Sequence, residues 1–137
     1  MNVSEELNLA DRVIGEIIMD LRVHPENYAE GISPLVKKVR GEIGEVLGEK
    51  SEIARDIVPT IWAANMTLGF HTFYGRKFNP EQLGFFSDYL DWVWFREGKN
   101  ATMGQTHEKF LHTLKRMGLE KYLEHEMTSK YESWLKD

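Results

Sequence analysis

Apolar residues recur at steps of three and four along most of this chain, a spacing that predicts helices rather than strands. From Glu5 to Arg22, Leu7, Ala10, Val13, Ile14, Ile17, Ile18 and Leu21 fall on one stripe of a helical wheel, and the remaining positions are mainly polar. Ser4 stands ahead of this segment as a good N-cap, acids follow it at the positive end of the helix dipole, and His24-Pro25 stops the helix because a residue before proline is biased away from helical geometry. Residues 24 to 32 are expected as a loop. Ser33-Pro34 then reads as a cap with proline at the first helical position, and Leu35, Val36, Val39, Ile43, Val46 and Leu47 carry the period as far as Gly48. Gly41 and Gly44 inside this second helix each cost about 1 kcal/mol relative to alanine. They are either tolerated or placed so that another helix can approach closely.

Ser51 caps a third predicted helix in which Ile53, Ile57, Ile61, Ala64 and Leu68 repeat mostly by four. Pro59 lies in its interior, removing one backbone hydrogen bond and clashing with the Arg55 carbonyl, so a kink or break is expected there. The aromatic stretch Phe70 to Phe78 either continues this helix or forms a packed loop. Asn79-Pro80-Glu81-Gln82 is the best local signal in the chain: a cap, proline at the first helical position, and a glutamine that can reach back to complete a capping box. The fourth helix therefore begins at Pro80, runs to about Arg96 and closes at Gly98. Thr102 or Thr106 opens a fifth, with Phe110, Leu111, Leu114 and Met117, which Gly118 ends; Leu119 to Leu135 forms a sixth, aligning Leu119, Tyr122, Leu123, Met127, Tyr131 and Trp134. The pattern predicts an all-α fold: a single-domain bundle of about six helices over residues 1–137, with short connections.

Composition narrows the function more than the fold. The chain has no cysteine, which removes disulfides, thiolate nucleophiles and cysteine-ligated metals and suits a reducing, cytoplasmic setting. Its apolar runs are only a few residues long, far short of the ~20 needed to span a membrane, and no export signal is visible. With 22 acidic against 17 basic side chains the net charge is -5, which opposes attraction to a phosphate backbone and argues against nucleic acid as a partner. The one dense basic cluster, Lys37, Lys38 and Arg40, is followed at once by Glu42 and Glu45 and reads as a solvated face.

Two clusters are candidates for chemistry. His107, Glu108, His112, Glu124, His125 and Glu126 lie on neighbouring predicted helices, but a zincin needs a second histidine four residues after the first, and that position is Leu111. The glutamate and histidine three apart on two helices, which a di-iron bundle requires, do not occur. Glu108 and His112 share a face at the spacing of an exposed ion pair. The acidic series Glu42, Glu45, Glu49, Glu52 and Asp56 is the second cluster, because a hard cation such as magnesium wants several converging carboxylate oxygens. Compared with all-α nucleotide pyrophosphohydrolases it lacks adjacent paired glutamates, and Lys38, Lys50 and Arg55 are near enough in sequence to neutralise it. A solvated face is the simpler reading, with a magnesium-dependent nucleotide hydrolase as the enzyme alternative. No catalytic residue, cofactor or metal is assigned.

Gly44-Glu45 leading into a helix, Phe78-Asn79 before a helix carrying Tyr89, Trp92 and Phe95, the turn Arg96-Glu97-Gly98-Lys99, and Gln105-Thr106-His107 before Phe110, Leu114, Arg116 and Met117 together resemble the YfbU family of bacterial helical proteins. The likeness runs from about Val39 to Met117. It departs where the family's glycine- and aspartate-rich turn becomes Asn79-Pro80-Glu81-Gln82, and at Pro59. The family has no assigned biochemical activity, so the resemblance implies an all-helical fold and supplies no catalytic residues.

Ten of the sixteen aromatic residues fall between Phe70 and Phe95. On a wheel of the fourth helix Leu83, Phe86, Leu90, Val93 and Trp94 form one face, and Phe85, Tyr89 and Trp92 form a second stripe beside it. A helix this apolar is either the centre of the bundle or shows its second stripe to another chain. On the second reading Phe85, Tyr89 and Trp92, with Phe73, Tyr74 and Arg76, line a homodimer or partner interface, since tyrosine, tryptophan and arginine anchor such surfaces. The sequence thus favours a non-enzymatic protein-interaction module. A small apolar ligand held among these rings, or an immunity- or antitoxin-like inhibitor of a basic enzyme, are the further readings.

Overall fold

The computed structural model describes residues 3–42, 69–70 and 72–119. The chain is mostly helical, with four α-helices and no strand among the described residues. No helix there is long and apolar enough to cross a membrane. The expected third helix, from Ser51 to Leu68, and the expected sixth, from Leu119 to Leu135, lie outside the described residues except for Leu119 itself.

Helix α1 spans Val3–Val23 and turns Ala10, Val13, Ile14, Ile17, Ile18 and Leu21 into the core, as its periodicity requires. Val3 is already helical, so Ser4 lies within the helix rather than at its cap. Arg22 sits in the last turn, where a cation suits the negative end of the helix. Beyond His24 the chain tightens into a 3-10 turn, Pro25–Tyr28, which buries Tyr28. The Tyr28 hydroxyl donates to Asp20 Oδ2 on α1. Burial, and then the neighbouring Asp20 carboxylate, hold the tyrosine well above its ordinary pKa.

Helix α2 spans Ser33–Glu42 and buries Leu35, Val36 and Val39. Its first backbone bond runs from Val36 N–H to the Ile32 carbonyl at 3.0 Å, so Ile32 takes the cap position and Ser33 is already helical, one residue from the sequence expectation. Gly41 is exposed, with no heavy atom within 4 Å of where a Cβ would stand, so no described element uses it for close approach.

Residues 69–70 and 72–73 are helical, and a turn follows at 74–75. The aromatic stretch is therefore helix first and loop afterwards. Gly75, at φ +74°, makes the reversal. Phe78 N–H then donates to the Ala29 carbonyl at 3.0 Å, fastening this loop to the turn after α1.

Helix α3 spans Pro80–Phe95 and starts as predicted. Asn79 Oδ1 accepts from Gln82 N–H at 2.8 Å and Gln82 Oε1 accepts from Asn79 N–H at 3.0 Å, which completes the capping box. Gln82 also donates through Nε2 to the Met117 carbonyl at 2.8 Å, so one side chain starts α3 and holds the end of the next helix. That helix, α4, spans Met103–Arg116 and opens with a second capping box, formed by Thr102 and Gln105. Thr106 falls within its first turn and bonds back to the Thr102 carbonyl at 2.9 Å. Gly118, at φ +75°, closes it: Gly118 N–H donates to Lys115 O at 3.0 Å and Leu119 N–H to Leu114 O at 2.8 Å, the Schellman pattern.

These elements share one continuous apolar core, in which the contact of α1 with α3 is the most extensive between helices. Helix α3 lies between α1 and α4. Between α3 and α4 a 3-10 turn, Glu97–Asn100, passes directly beneath α3. A Cβ at Gly98 would stand 2.5 Å from Trp92 Cε3 and 2.6 Å from Val93 Cα, so only glycine fits.

Candidate interaction surface

Helix α3 runs antiparallel to both neighbours. Toward α1, Trp94 donates through Nε1 to Asp11 Oδ1 at 2.7 Å, and at the other end Arg22 donates through Nε to Ser87 Oγ at 3.2 Å and through Nη2 to Asp88 Oδ1 at 3.0 Å. Ser87 is fully buried, and its hydroxyl is satisfied twice because it also donates to the Gly84 carbonyl at 2.8 Å. Asp91 lies between Arg22 and Arg96, 3.8 and 3.3 Å from their nitrogens. The wheel face Leu83, Phe86, Leu90, Val93 and Trp94 is buried throughout.

Toward α4 the chemistry differs. The Arg116 guanidinium lies 4.1 Å from the centre of the Phe85 ring, and Lys109 Nζ lies 5.5 Å from the Trp92 ring. Seven residues separate the rings and seven separate the cations, so an antiparallel pair of helices brings the two sets into register. Between them Tyr89 meets Phe110 edge to face, with ring centres 5.4 Å apart. Phe110 lies 6.1 Å from Phe73, which packs edge-on against Phe86 at 4.5 Å and Phe78 at 5.6 Å. Phe73 is thus the ring that joins the loop before α3 to both helices of the hairpin.

The six residues expected at an interface divide accordingly. Phe73 and Tyr89 are core residues, 0% and 3% exposed. Phe85 and Trp92 are half-buried, each with a cation over its face. Arg76 is half-buried, and its Nε donates to the Thr72 carbonyl at 2.7 Å. Tyr74 stands out, 59% exposed, on a turn held by Tyr74 N–H to Phe70 O at 2.7 Å and Arg76 N–H to Phe73 O at 3.1 Å.

Of the acidic series, Glu42 is exposed near the end of α2, and Glu45, Glu49, Glu52 and Asp56 lie outside the described residues. Among the described residues no three histidines or acids converge as a metal would require. Glu108 and His112 are exposed on α4, and His107 is half-buried. Lys38, from the basic cluster, pairs with Glu16 Oε2 on α1 at 3.2 Å, and Arg12 reaches the other oxygen at 3.3 Å. The hydrogen bond from Lys38, more than any other cause, holds Glu16 below the usual carboxylate range.

Three exposed apolar side chains lie outside the six residues expected at an interface: Met19 and Val23 on α1, each 57% exposed, and Phe95 at the end of α3, 40% exposed. The signal for the first two was their absence from the apolar stripe of α1. The equal seven-residue offsets of Phe85 and Trp92 and of Lys109 and Arg116 were also open to reading, and foretell that α4 covers the second aromatic stripe. In comparisons with known proteins, no family model, no curated protein and no solved structure matches this chain.

Proposed function

We propose that this chain is a non-enzymatic protein-interaction module, an acidic YfbU-like bundle of about six helices acting in the cytoplasm, which binds a protein partner or a second copy of itself. The observation that supports this reading is Tyr74: a large aromatic side chain, 59% exposed, carried on a turn whose neighbour Phe73 is locked in the core. Tyrosine offers much contact area for few rotatable bonds, and a backbone already held in place loses less freedom when a partner docks. Arg76, two residues on, adds a cation with its Nε fixed by the Thr72 carbonyl. Phe85 and Trp92, half-buried with a cation over each ring, can add to the contact area.

The test is sedimentation velocity up to high micromolar concentration, combined with a photoreactive phenylalanine analogue at position 74 in the cells that make the protein. The expected result is a dimer that Tyr74→Ala dissociates, or a cross-link from position 74 to one other protein. A monomer at every concentration that also gives no cross-link would overturn the proposal, as would a dimer indifferent to Tyr74→Ala with no cross-link from position 74 to another protein. Circular dichroism of Tyr74→Ala should match the parent, since the side chain supports no core contact.

A further inference from the structure

No further inference is drawn: the strongest candidate, the exposed apolar side chains Met19 and Val23 on α1 and Phe95 at the end of α3, carries nothing because nothing in the structure shows what covers them.

Discussion

The two sides of α3 use the same residue types to different ends. Toward α1, Trp94 is sealed in the core and its one polar atom is satisfied by Asp11, so the indole contributes its full area while its N–H is not orphaned. Toward α4, Trp92 is only half-buried and has the Lys109 ammonium 5.5 Å from its ring centre. Two tryptophans two positions apart on one helix thus belong to different environments, one a closed interior and the other a rim. Aromatic density on a helix therefore does not by itself indicate an interface: the number of sides on which neighbours close over it decides.

The largest test of this contrast is Trp94→Ala. Removing a fully buried tryptophan should lower stability by about 3–5 kcal/mol in chemical denaturation, whereas Trp92→Ala should cost roughly half as much, because part of its surface is already wet. Equal losses would erase the distinction between the two sides. Next comes Gly98→Ala. The added methyl group would overlap Trp92 and the backbone at Val93, and displacing a helix backbone should cost about 1–3 kcal/mol, with a change in tryptophan fluorescence as the Trp92 ring is pushed aside. An unshifted spectrum together with unchanged stability would show that the turn does not pass beneath the ring.

On the α1 side, Tyr28→Phe removes the hydrogen bond to Asp20 and should cost about 1–2 kcal/mol near neutral pH. Because the folded protein raises the tyrosine's pKa, this contribution is fully present below the ordinary tyrosine value of about 10 and is lost as pH rises through the folded value. The parent should therefore lose stability at alkaline pH relative to Tyr28→Phe, and parallel alkaline profiles would remove the buried pair from the account. The smallest effect belongs to the rim: Arg116→Gln should cost only about 0.5–1 kcal/mol, since cations over partly exposed rings are weak. A loss several times larger would make the α4 side as closed as the α1 side.

The parts of the fold legible in the sequence are those with local causes. Asn79 with Gln82 and Thr102 with Gln105 start their helices by bonds that close within four residues, so local residue order locates the first boundary and narrows the second to Thr102 or Thr106. Gly118 ends α4 for an equally local reason, a backbone conformation costly to any residue with a Cβ. Helix α2 starts one residue earlier than a Ser33 cap implies: Val36 N–H bonds the Ile32 carbonyl, which makes Ile32 the cap and Ser33 and Pro34 the first two helical residues, a choice that local preference alone does not dictate.

The helical character of the described segments, the inward face of α1 and the two apolar stripes of α3 are legible from residue order, because periodicity is a property of a single helix. Tertiary structure decided how those stripes are used. It placed Phe73 and Tyr89 in the interior, left Tyr74 outside, and set Arg116 and Lys109 over Phe85 and Trp92. The physical reason is that burial depends on which surface arrives from elsewhere in the chain, and a wheel drawn for one helix contains no information about the helix packed against it.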